Sequence, residues 1–146
     1  MPKQEEQSLL RDKNKSAYKL AGFPEVLWIN LDRFPDRKKY MEEQFSYWEI
    51  PDHHRISGVD GVQYEEYLKG TVPDNMNSGE CACVMSHLNA LKYFVEETDL
   101  DEIIIMEDDV DLDTARRWNF TWKEIRKRLP INFDCLQLTI INPNGI

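Results

Sequence analysis

The chain has no excess of basic residues. Its 18 lysines and arginines face 27 aspartates and glutamates, giving a formal net charge of −9 over 146 residues. No basic stripe is present to neutralise phosphates, which argues against general nucleic-acid binding. Cysteine is scarce as well. Cys81, Cys83 and Cys135 are an odd set and make no disulfide framework. A C-x-C pair without further spaced ligands is a poor zinc signature, so the expectation is reduced, buried thiols. No run approaches the ~20 apolar residues of a membrane span. The opening "MPKQEEQSLLRDKNKS" lacks the apolar core of a secretory signal. These two absences set the expectation of a cytoplasmic protein with no transmembrane segment. No internal repeat or low-complexity tract stands out.

What is present suits one folded domain. Apolar residues make up 41% of the chain, enough for a core at this length. Residues 1–24 are polar and read as a tail or loose helix, and 25–146 as the domain. "EVLWINLDR" predicts a buried strand from Val26 to Leu31. The following helix has Pro35 in its first turn and Tyr40, Met41, Phe45 and Trp48 at helical spacing. "HHRISGVDG" predicts a second strand ending in a turn at Asp60-Gly61, with His53 and His54 as strand-entry polarity. After a long irregular connection, "CACVMSHLNALKYFVEE" predicts the best helix, marked by Val84, Leu88, Leu91 and Val95. "EIIIMEDD" is a third strand, whose continuous apolar run suits a strand covered on both faces. Trp118 and Trp122 lie four apart and read as core if one helix carries both. Thr121 and Glu124 have capping-box form. "FDCLQLTI" is a fourth strand. Alternating strands and helices give an α/β sandwich with a largely parallel sheet.

In such sheets ligands bind beyond the carboxyl ends of the strands. Two stretches qualify: Asn30-Leu31-Asp32-Arg33 and the acidic run "EDDVDLD". In extended geometry Glu107, Asp109 and Asp111 share one side and Asp108 points to the other. Clustered hard oxygens suit Mg²⁺ or Mn²⁺, which could bridge to phosphates. Asp113 suits a helix N-cap. Arg33 and Arg37 offer forks that match a diphosphate. Ser86 and His87 are neighbours on a helix and point apart, so they are no catalytic dyad; His87 could reach a ligand or pack as a structural histidine. A calcium EF-hand loop fails because Thr114 and Phe120 stand where Gly and Glu are needed. An aspartate-dependent phosphatase-like hydrolase remains an alternative, although Asp113 stands where Thr or Val is expected.

Four blocks in register resemble the family-25 glycosyltransferases, which include lipooligosaccharide (LPS) and procollagen galactosyltransferases. They are "VLWINLDRFPDR", "RISGVDG", "GECACVMSHLNAL" and "IIIMEDDV", the last matching the family's Glu-Asp-Asp-Val (EDD) motif. The resemblance covers about residues 25–140. It implies a GT-A-like (Rossmann-like) three-layer sandwich with a mostly parallel sheet, a UDP-sugar donor, commonly UDP-galactose, and Mn²⁺ or Mg²⁺. It implies a saccharide or hydroxylated protein as acceptor. By the same resemblance Asn30, Asp32, Arg33, Arg37, Asp60, Gly61, His87 and Asp108 would line the donor site. Asp109 would lead the metal ligands, with Asp111 and Glu107 in support. Ala82 departs from the family's second glycine, and Cys81 replaces an apolar residue. No general base can be named. Four readings stay open: a donor-binding part whose C-terminal half lies outside this chain, a short domain needing a partner chain, a homo-oligomer, and a non-catalytic nucleotide-sugar-binding remnant.

Overall fold

A computed structural model of the chain describes residues 15–63 and 75–138. At its centre lie three parallel strands, β1 (Val26–Asn30), β2 (His53–Ser57) and β3 (Ile104–Glu107), in the order β2-β1-β3. Every residue of β1 is buried, as a central strand covered on both faces requires.

Helix α1 (Pro35–Tyr47) has Pro at its first turn, as expected. It covers one face of the sheet. Met41, Phe45 and Trp48 pack there against Val26, Trp28, Ile104 and Met106. The Trp28 and Phe45 rings lie 5.7 Å apart. Burial of each such side chain stabilises the fold by about 1.5–3 kcal/mol. Tyr40, expected on this face, is 44% exposed, and Gln44 is buried there instead. Leu20, from the short 3₁₀ turn Ala17–Leu20, joins the same core, with Phe23 packed against it.

Helix α2 (Ser78–Glu97) covers the opposite face, so the described residues form three layers. It starts three residues before Cys81 because Asn77 and Glu80 close a reciprocal capping box. Its buried stripe is Ala82, Ser86 and Ala90, flanked by Tyr93 and Phe94. The expected apolar stripe is on the other side: Val84, Leu88, Leu91 and Val95 are 47–75% exposed. Both stripes have helical spacing. The small one faces the sheet because it lets the helix backbone come close, and Ser86 satisfies its hydroxyl locally by donating to the Ala82 carbonyl. Ala82, where the resemblance implies a glycine, is buried there.

The remaining elements correct several details. His53 and His54 are packing residues on opposite faces, stacked on Phe45 and Tyr93 respectively. Trp118 follows a 3₁₀ turn (Leu112–Arg117), whereas Trp122 opens helix α3 (Trp122–Arg128), so no continuous helix carries both. Both pack as core: Trp122 is buried against Phe23, and Trp118 lies against the α1-side core. The Thr121–Glu124 capping box is present. The expected fourth strand is not formed over 133–138, where Leu136 and Leu138 are exposed, and its last two positions lie outside the described residues. All three cysteines are free; Cys83 and Cys135 are exposed and Cys81 is half-buried, so the buried thiols expected from their scarcity are not found.

Candidate functional site

β1 feeds α1 on one face, and α2 leads into β3 from the other. The carboxyl ends of β1 and β3 therefore flank a topological switch point, the place where such sheets open a crevice. Asn30 closes β1 there. Its Nδ2 donates to Asp108 Oδ2 at 2.7 Å and to the Phe34 carbonyl at 3.2 Å. Arg37 Nη1 donates to the other carboxylate oxygen of Asp108 at 3.1 Å. Asp108 thus faces α1, as the strand alternation predicts, and fastens β1, α1 and β3 together.

The turn after β1 is organised from β2. Arg55 Nε donates to Asn30 Oδ1 at 2.8 Å, and its Nη2 donates to the Asn30 carbonyl and to Asp32. Ser57 Oγ donates to the other Asp32 oxygen at 2.9 Å. These two donors, Arg55 first, hold the Asp32 carboxyl below its usual 3.8. Arg33 pairs with Asp60 at 2.6 Å, linking the turns after β1 and β2. Both arginines also sit over one ring: the Arg33 and Arg37 guanidinium carbons lie 4.4 and 4.9 Å from the Phe34 centroid. Half of each arginine side chain remains exposed, so their free N–H groups face solvent.

The loop carrying Asp60-Gly61 is seated on the start of α2. A Cβ on Gly61 would lie 2.8 Å from the Ser78 carbonyl oxygen and 2.9 Å from Gly79 Cα, so only glycine fits. Ser86 Oγ accepts the Val59 N–H at 2.8 Å.

The first two residues of the acidic motif turn in opposite directions. Glu107 turns toward α2, where its Oε1 lies 3.0 Å from His87 Nε2 and 3.6 Å from Cys83 Sγ. Burial, then the Glu107 charge, pushes the Cys83 thiol up. Asp108 turns toward α1. Asp109 is exposed and has no hydrogen bond or ion pair among the described residues. The chain leaves strand geometry after Glu107. The Asp109 charge still lies close enough to Cys83 to help raise its thiol, as Glu107 does, whereas Asp111 is drawn into the following 3₁₀ turn. Among the described residues the one group of three that gathers metal-ligand atoms is Cys83, His87 and Glu107. The helix-cap role expected of Asp113 falls to Asp111, which caps the 3₁₀ turn by accepting the Asp113 N–H. Asp113 instead accepts Trp48 Nε1.

Three residues shape this site without having stood out in the sequence. Arg55 and Ser57 are ordinary polar strand positions until the parallel register sets them beside β1. Gln44 carries a signal: a polar residue inside the Met41–Phe45–Trp48 face. Its Nε2 donates to the Val110 carbonyl at 2.9 Å and its Oε1 accepts the Leu112 N–H at 2.8 Å, bracketing the segment after Asp109.

Of the expected donor-site residues, the structure brings Asn30, Asp32, Arg33, Arg37, Asp60 and Asp108 into one linked network. His87 lies on the α2 side, beside Glu107. No helix among the described residues is long and apolar enough to cross a membrane. Comparison with known families adds one result: the family described as Glycosyltransferase family 25 (LPS biosynthesis protein) matches residues 23–139. Comparisons with curated proteins and with solved structures gave no match.

Proposed function

The chain belongs to glycosyltransferase family 25, and on that premise we propose that it binds a UDP-sugar, with galactose as the sugar, at the β1–β3 switch point of a GT-A-like domain. It passes the sugar to a saccharide or a hydroxylated protein. The observation that carries this reading is the pairing of Arg33 and Arg37 on Phe34 beside the acidic turn. Two partly free guanidiniums in a chain of net charge −9 match the two phosphates of such a donor.

Asn30 and Asp108 hold the strand ends at a fixed separation, and the Arg55–Asp32–Ser57 links hold the turn that would meet the nucleotide. Asp109 fits a hard divalent cation, because Mn²⁺ and Mg²⁺ sites need only one or two carboxylates when substrate phosphates supply further oxygens. When bound, such a cation would neutralise charge on the departing diphosphate. Asp108 is committed to Asn30 and Arg37, and Asp111 to the 3₁₀ cap, so Asp109 is the residue assigned to the cation. The acceptor hydroxyl would attack the anomeric carbon in a single inverting displacement that breaks the bond to the UDP phosphate oxygen, its proton passing to a protein carboxylate acting as general base.

Turnover of UDP-galactose, followed as UDP release with and without saccharide acceptors, tests the activity. Acceptor-stimulated release that falls at least about 100-fold in Arg37→Ala supports it. Tight UDP binding with no release under any condition would make the chain a donor-binding module instead.

A further inference from the structure

The EDD motif's first residue turns toward α2, away from the partners of Asp108. Cys83 and His87 are four apart on α2 and so project from one side of that helix. Glu107, at the end of β3, meets them across the gap between helix and sheet. Sulfur, imidazole nitrogen and carboxylate oxygen all lie within 4.8 Å of one another. We propose that Cys83, His87 and Glu107 form a zinc-binding site, separate from any cation held with the donor's phosphates at Asp109.

The donor chemistry selects the metal. A thiolate and an imidazole suit a borderline-soft ion such as Zn²⁺, whereas Mn²⁺ and Mg²⁺ favour all-oxygen sets. The geometry agrees. Tetrahedral zinc with ordinary bond lengths places sulfur and oxygen about 3.5 Å apart, and nitrogen and oxygen about 3.3 Å apart. The corresponding separations here are 3.6 and 3.0 Å. Two ligands stand on a capped 20-residue helix and the third on the sheet, so the backbone already brings them together. His87 and Glu107 are each more than a third exposed, which leaves a path for the ion and room for a water in the fourth position. Three protein ligands with one open position is the coordination of exchangeable or reactive zinc. Zinc here would clamp α2 to the strand end that leads directly into Asp109.

Cobalt(II) titration of the metal-free chain tests this, since cobalt takes zinc's place and reports its ligands by absorption. The expected result is one cobalt per chain, a thiolate-to-cobalt charge-transfer band, and the strong visible absorption of a four-coordinate site. Zinc should displace the cobalt, and excess Mg²⁺ should not. The charge-transfer band should vanish in Cys83→Ser and persist in Cys81→Ser and Cys135→Ser. Glu107→Gln should keep the band but lower zinc affinity more than about 10-fold; it serves as the second variant should Cys83→Ser fail to fold by circular dichroism. No stoichiometric cobalt binding, a spectrum without the charge-transfer band, a band that survives Cys83→Ser, or unchanged zinc affinity in Glu107→Gln would each overturn the assignment.

Discussion

Asn30 Nδ2 donates to Asp108 Oδ2 at 2.7 Å, tying the carboxyl end of β1 to the turn that follows β3. Asn30 is 2% exposed and Asp108 is 8% exposed, so neither can exchange the other for water. Asn30→Ala removes one of two donors to a buried carboxylate and frees Arg55 Nε as well. It should lower unfolding stability by about 1–3 kcal/mol, read from the urea midpoint. A loss below about 0.5 kcal/mol would mean that the strand ends are held by other contacts.

Gln44 is the bracket of the acidic segment. Gln44→Leu keeps the volume but strands the buried Leu112 N–H and the Val110 carbonyl. A cost of about 1–3 kcal/mol in stability is expected. Amide hydrogen exchange should show faster opening of residues 110–112 than in the wild-type chain, with the centre of β1 little changed. Uniform protection across both regions would contradict the bracket.

These two residues also mark how far the sequence was legible. Asn30 ends an unbroken apolar run and Asp108 lies two residues past another, so strand periodicity located them, and alternation put Asp108 opposite Glu107. The three parallel strands and their covering helices were readable for the same reason. Gln44, Arg55 and Cys83 were not, because each acts through a partner 24 or more residues away. The face of α2 was misjudged on volume: Val84, Leu88, Leu91 and Val95 have the stronger apolar signal, yet the sheet accepts Ala82, Ser86 and Ala90. The side expected for Glu107, Asp109 and Asp111 extends strand geometry past Glu107, where β3 ends, and Asp111 is drawn instead into the 3₁₀ cap.

His53 gives the fold a pH dependence on the mildly acidic side. Burial lowers its pKa below the usual 6.5, and Trp28 Nε1 donates to His53 Nδ1 at 3.3 Å, which requires that nitrogen unprotonated. The unfolded chain therefore binds a proton more readily than the folded one. Stability from this group is full above pH 6.5 and falls as pH drops through the folded value. Urea midpoints measured from pH 7.5 to 5 should decline, and His53→Gln should flatten the decline. Equal slopes in both proteins would assign the effect elsewhere.

The central claim is a nucleotide-sugar site at the β1–β3 switch point, with Asp109 as the cation ligand. Calorimetric titration of UDP into the folded chain, with and without Mn²⁺, tests it most directly. Mn²⁺ should strengthen UDP binding at least about 10-fold, a difference of about 1.4 kcal/mol, and Asp109→Ala should abolish that gain while leaving the urea midpoint unchanged. UDP binding that is absent in the wild-type chain, or that responds to Mn²⁺ equally in Asp109→Ala, would contradict the account.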